Sequence, residues 1–465
     1  MSQPIRARWL TAIAAAAPFL VSLLAAGCTG FGAIGGTPGG TTVTVAIVAN
    51  PQMQDVETLT PDFERSHPGI RVHYVTLPEN VARQKITESV ATGSREFDVV
   101  MISNYETPMW ARNGWLTDLQ PLADRTPGYD PADFLSPIRR SLSYRGHLYS
   151  VPFYGESSFL MYRKDLFAAR HLTMPPHPTW RQVANFADRL HDPQQGRAGI
   201  CLRGAPGWGQ VLAPLDTVIN TFGGRWYDMR WNAQLTSPAV RRAVGFYVGL
   251  VRRDGEPAAA TAGFTECATH FAQGNAAMWY DATSAAGLLE DPASSTVAGK
   301  VGYVAAPVEA TASSGWLYSW SFGIPTTTVH KDAAWRFIAW ATSRDYIKLV
   351  GHRLGWSRLP PGSRESTYAV PQYRKISRAF SGPTLAAIRQ ADPEHPTVQP
   401  VPYTGVQFLD IPEFQDLGTR VSQQINAAIA GQQSVRAALD QSQQYAQTVG
   451  RGYRQPSHRE GHRGG

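Results

Sequence analysis

The chain is poor in the residues and patterns that announce chemistry. It holds 3 Cys and 12 His in 465 residues, and the histidines show no spacing that would gather a metal ion. Neither a Gly-x-Ser-x-Gly elbow nor a His-Glu-x-x-His helix occurs, and there is no glycine loop of the phosphate-binding type. Those absences argue against the common hydrolase, zinc protease and nucleotide-dependent classes, and no cofactor is expected. Charge is also sparse, at 17%. No basic stripe is present, so nucleic acid is not an expected partner. No tandem repeat is visible. The longest apolar run, Trp9 to Leu24, falls short of the about 20 residues that span a bilayer.

That run does have a reading. Arg6 and Arg8 precede it, and Leu24-Ala25-Ala26-Gly27-Cys28 follows, the layout of a secretory signal with small residues at the cut. The Cys28 segment resembles the lipobox of bacterial lipoproteins. That resemblance implies that residues 1–27 are removed and Cys28 is acylated. Each buried CH₂ of such an anchor contributes about 0.8 kcal/mol, so two or more chains hold a protein on the outer face of the membrane. Residues 28–42, rich in Gly and Thr without charge, read as a flexible tether. Without Arg6 and Arg8 the chain carries 41 basic and 36 acidic residues, and the expected disordered tail, 450–465, holds four of the arginines. The body is therefore nearly neutral. Cys201 and Cys267 remain in an oxidising compartment, where either a disulfide or two buried thiols is allowed.

From Val43 the pattern alternates. Val43 to Ala49, Ile70 to Val75 and Phe97 to Ile102 are rich in β-branched or apolar residues and read as strands. Val56 to His67 and Asn80 to Thr92 have helical spacing. Such alternation predicts βαβ units in an open, mostly parallel sheet, with ligands beyond the carboxyl ends of the strands, at the loops starting at Asn50, Leu77 and Ser103. About 400 residues exceed one hydrophobic core, so two lobes are expected. The expected boundaries are 43–153 plus 282–328 for the first lobe and 154–281 plus 329–449 for the second. Crossings are placed near Phe153 to Glu156, Trp279 to Ala282 and Thr326 to His330.

Several blocks in this order resemble extracellular solute-binding proteins of ABC sugar importers: Phe97-Asp98-Val99, Met161-Tyr162-Arg163-Lys164-Asp165, and Gly274-Asn275-Ala276-Ala277-Met278-Trp279. Further blocks resemble the sorbitol/mannitol-binding branch, namely Glu79 to Lys85, Pro152 to Ser158, Gly199 to Gly204, Asn220 to Trp226, Asp281-Ala282-Thr283 and Pro400 to Phe408. The resemblance implies a two-lobed, type II periplasmic-binding-protein-like α/β fold that closes on a polyol or sugar. Membrane permease subunits and a cytoplasmic ATPase are the implied partners, and the binding protein is expected to be a monomer.

The residue chemistry points the same way. A polyol presents hydroxyls that both donate and accept, along with an apolar C–H side. Glu156 and Asp281 are candidate bidentate acceptors, and Arg83 and Arg203 candidate donor forks. Trp208, Trp316 and Trp320 are candidate stacking rings, although core packing is the usual fate of Trp. Asn50, Asn104, Tyr105, Tyr154, Tyr403 and Gln407 complete the candidate set. Glu156 has a rival role as the cap of a helix after Ser157-Ser158. Two rival functions remain: an exported glycosidase using Glu156 and Asp281 as its carboxylate pair, and a surface glycan-binding protein. A di- or oligosaccharide is the alternative ligand for a transporter component.

Overall fold

A computed structural model describes residues 40–454; the signal, Cys28 and the tail beyond Arg454 lie outside the described residues. Among the described residues ten strands follow in chain order: β1 (Thr41–Val48), β2 (Ile70–Leu77), β3 (Val99–Ser103), β4 (Ser143–Tyr144), β5 (His147–Leu148), β6 (Ser150–Glu156), β7 (Ser158–Arg163), β8 (Met278–Ala282), β9 (Val301–Ala305) and β10 (Tyr318–Gly323). The first lobe is built on a sheet of order β2-β1-β3-β10-β6 and the second on β8-β7-β9. β1 pairs in parallel with β2 over its whole length and with β3, whereas β10 runs antiparallel between β3 and β6. All five residues of β3 are buried, as a strand covered on both faces requires.

Helices Pro51–Ser66 and Lys331–Ala341 cover one face of the first sheet, where Phe63 meets Phe337 edge-on at 5.7 Å and Phe337 meets Phe322 of β10 at 5.8 Å. The helix after β1 starts at Pro51, earlier than the spacing from Val56 suggests. Asn50 Oδ1 accepts from the Met53 amide and Pro51 fills the first helical position, so Asn50-Pro51 is a cap rather than a loop. In the second lobe, helix Phe264–Ala272 packs on β8, and the long pair Phe414–Ile429 and Val435–Arg454 packs on Pro238–Asp254.

The boundaries differ from those expected. The chain passes from β6 to β7 through Ser157, so residues 154–156, expected in the second lobe, end a strand of the first sheet. After β8, residues 283–285 touch the end of β6, and the chain then turns back to form β9 on β7. Of the segment 282–328 expected in the first lobe, the strand 318–323 enters the first sheet and 301–305 does not. Residues 331–353, expected in the second lobe, instead cover the first sheet, because the apolar face around Phe337 and Trp340 matches Phe63. The return to the second lobe falls within 354–413. Folding also begins before Val43, since Thr41 and Thr42 already pair with Ile70 and Arg71. Residues 450–454, expected in the disordered tail, continue the last helix, with Tyr453 stacked on Trp231 at 4.0 Å.

Candidate functional site

A cleft of about 440 Å³ lies where the carboxyl ends of β1, β2 and β6 face the turn 203–210 of the second lobe. The first lobe supplies helix Glu79–Ala91, whose first turn opens onto the cleft. Glu79 and Arg83 share a face, and Arg83 Nε donates to Glu79 Oε1 at 3.0 Å. The same guanidinium donates to Glu106 at 3.3 Å and to the Tyr318 hydroxyl at 2.5 Å. It is sandwiched between the rings of Trp208 at 4.1 Å and Trp320 at 4.5 Å. Its fork is thus committed to protein partners, and its stacked plane forms the wall.

Across the cleft, Arg203 makes a two-pronged bond to Asp281, at 2.8 Å from Nε and 2.5 Å from Nη2. Nη1 donates to the Gly209 carbonyl at 2.9 Å, which fixes the turn that faces the first lobe. Asp281 is wholly buried and also accepts from the Trp279 indole and the Ala282 amide. A disulfide joins Cys201 to Cys267 with Cα atoms 5.7 Å apart, anchoring the strand end before Arg203 to helix Phe264–Ala272. This answers the question the sequence left open. Among the described residues, the cluster that groups metal-ligand types is this cystine with Glu256, whose sulfurs are already bonded to each other.

Glu156 ends β6 at the crossing between lobes. Burial pushes its carboxyl up to about 8, although the Ser284 hydroxyl, which donates to it, and Arg203 pull the other way. Burial thus favours the protonated form, which can donate as well as accept. It is followed by a strand, so the role as a helix cap is excluded. Beside it the Asn50 amide donates to the Tyr154 hydroxyl at 3.2 Å.

The lobes meet at the cleft rim. Asn80 Nδ2 donates to the Pro206 carbonyl, and Gln210 Nε2 to Glu79, each at 3.1 Å. Gly207 and Gly209 permit this approach: a Cβ on Gly207 would lie 2.5 Å from Asn80 Oδ1, and one on Gly209 2.4 Å from Glu79 Oε1.

Of the candidates read from sequence, Asn50, Arg83, Tyr154, Glu156, Arg203, Trp320 and Gln407 converge on this cleft. The others stand elsewhere. Asp281 lies behind Arg203, because a carboxylate that neutralises a buried guanidinium is itself withdrawn from the cleft. Trp316 is core, packed on Tyr280 at 6.0 Å. Trp208 presents its face to Arg83, and Tyr403 accepts from the Trp226 amide beneath the surface. Asn104 and Tyr105 tie β3 to neighbouring segments through Leu317, Ser319 and Ile411, and face a second cavity of about 490 Å³. Glu79, Asn80, Gln210, Ser284, Tyr318 and Phe408 line the cleft without having been singled out. Glu79 and Asn80 sit in one of the blocks of resemblance, which was the available signal.

Residues 50–348 match the family described as bacterial extracellular solute-binding protein. A mannitol-binding protein of Pseudomonas aeruginosa is 43% identical over 87% of this chain and 92% of its own length. A solute-binding protein of an ABC transporter from Agrobacterium vitis S4, solved with bound D-mannitol, superposes with a TM-score of 0.87 at 45% identity, covering 89% of this chain and 99% of that one. Its counterpart from Agrobacterium radiobacter K84, in complex with ribitol, gives 0.76 at 26% identity, covering 88% and 99%. A chain matched across the sheets, the crossings and both cleft walls belongs to the bacterial extracellular solute-binding proteins, the capture components of ABC importers.

Proposed function

We propose that this protein captures a linear polyol, a hexitol of the mannitol or sorbitol type, and delivers it to a membrane permease. The observation that carries the reading is the cleft itself: Glu156, Arg203 and a ring wall of Trp320 converge in a chain 45% identical to a structure holding D-mannitol. Hydroxyls of an extended polyol find a protonated acid, an arginine edge and side-chain amides, while the C–H side lies against aromatic faces. No catalytic step is assigned to it. Opposed carboxylates are the requirement of a glycosidase, and Asp281 is engaged by Arg203 behind the wall, which leaves Glu156 without that partner. Cys28 is read as the acylated residue that holds the domain outside the membrane, and two lobes hinged at Ser157 and the two later crossings would close on the ligand.

The test is a thermal-shift and calorimetric panel of D-mannitol, sorbitol, arabitol, ribitol, erythritol and maltose. A ligand at 100 times its Kd adds about 2.7 kcal/mol to native stability. A hexitol should give the largest shift and be recovered unchanged. A shift from maltose alone, or a new product, would overturn the reading. Scattering with and without saturating ligand reads the hinge, with compaction expected.

A further inference from the structure

The cleft and the second cavity share one wall, made by Tyr318, Gln407 and Phe408. The two spaces, about 440 and 490 Å³, would together take a ligand about twice as long. We propose that the loop 404–411 is a partition that limits the ligand to a single polyol unit, with Phe408 as its closing plate and Gln407 as the group that reads the end of the ligand. This deepens the polyol reading and rests on it.

The loop is built to stay in place. Gly405 adopts φ +121, and a Cβ there would lie 1.8 Å from the Phe408 carbonyl oxygen, so only glycine makes this turn. Its amide donates to the Pro393 carbonyl at 2.7 Å, and the Asp410 amide closes back on Thr404 at 2.9 Å. Both lobes grip it: Asn220 of the second lobe donates to the Val406 carbonyl at 2.7 Å, and Tyr105 of the first donates to that of Ile411 at 2.8 Å. The Phe408 ring is wedged against Trp208 at 4.7 Å and Tyr318 at 5.8 Å, both edge to face. A plate fixed this way cannot swing aside for a longer ligand without giving up those contacts. Gln407 Oε1 is buried and has no hydrogen-bond partner among the described residues, and Gln407 lines both spaces. A buried acceptor in that state favours a ligand that brings a hydroxyl hydrogen to it. Wall and acceptor therefore coincide, which is what selection by length requires.

The experiment is calorimetry on the full mature domain with mannitol and with maltitol, which is a hexitol carrying one glucosyl unit. Wild type should bind maltitol about a hundredfold more weakly than mannitol. Phe408→Ala, which joins the two spaces, should bind maltitol about tenfold more tightly than wild type does while mannitol weakens. Phe408→Leu, a smaller loss of wall, should fall between, and circular dichroism confirms that each variant is folded. Wild-type maltitol binding within about threefold of mannitol would overturn the partition and leave polyol capture intact. So would folded Phe408 variants that gain no maltitol affinity. Should the Phe408 variants fail to fold, the wild-type ratio alone decides. Wild type that ignores mannitol removes the polyol reading, and the partition with it.

Discussion

Arg203 and Arg83 stand on opposite walls of the cleft, each 5% exposed, and are held in different ways. The guanidinium of Arg203 donates within its own lobe, to Asp281 and Gly209. Arg83 distributes its donors over Glu79, Glu106 and Tyr318, and takes a ring from each lobe, Trp320 from the first and Trp208 from the second. One wall is complete before the lobes meet, and the other is completed by their meeting. Affinity in such a site depends both on how well the first wall is prepared and on how easily the second is assembled.

Disturbing the prepared wall should have the largest effect. Asp281→Asn keeps the shape and leaves the Arg203 charge buried without its counter-ion, a loss of about 3–5 kcal/mol in urea unfolding. Glu106→Gln should cost much less, because Arg83 keeps Glu79 and Tyr318. Equal losses would erase the distinction between the walls. Next comes the cystine. Replacing Cys201 and Cys267 together by Ala should lower stability by about 2–4 kcal/mol, given a closed loop with a sequence separation of 66, with the change confined to the second lobe. Thiol counting on the unreduced, unfolded chain should find neither sulfur free.

The assembled wall should respond in affinity rather than stability. A Cβ on Gly209 enters the space of Glu79, which Arg83 and Gln210 hold in position. Gly209→Ala should therefore weaken polyol binding by about tenfold, through faster release, with an unchanged unfolding midpoint. A drop in stability equal to the binding loss would mean that the two walls are one unit.

A pH-dependent effect concerns Glu156, between the walls. Its carboxyl titrates near 8 when folded against an ordinary 4.5, so between those pH values the folded protein holds a proton that the unfolded chain has released. Raising pH across that window then favours unfolding. Wild type should lose stability relative to Glu156→Gln as pH rises from 5 to 8, with the gap narrowing below about 5. Parallel curves in thermal melts would show that Glu156 is already ionised.

How far the sequence reaches can be seen in these same residues. The β1, β2 and β3 strands and their helices follow from local period and propensity, and the loops at Asn50 and Leu77 follow from strand polarity, so half the cleft was legible. A crossing near Phe153 to Glu156 was read from the order of elements along the chain. Asp281 was not, because no local pattern says which arginine will meet a carboxylate 78 residues away. Trp208 failed similarly: it reads as a stacking ring for the ligand, whereas it stacks on Arg83, which is on another lobe. β9 was missed and the boundary with it, since Val301–Ala305 is an edge strand paired with β7, and its short run carries no period of its own.

The antiparallel strand β10 also governs when the molecule can exist at all. It sits between β3 and β6, so the first sheet stays split until residue 323 has been made, long after the 156 residues that supply its other four strands. The whole second sheet is encoded inside that interval. Contacts of such sequence separation form slowly, and an emerging chain cannot complete its first sheet before all the strands of its second have been made. A polypeptide that folds late is one that remains threadable, which suits a protein whose working place is on the far side of a membrane.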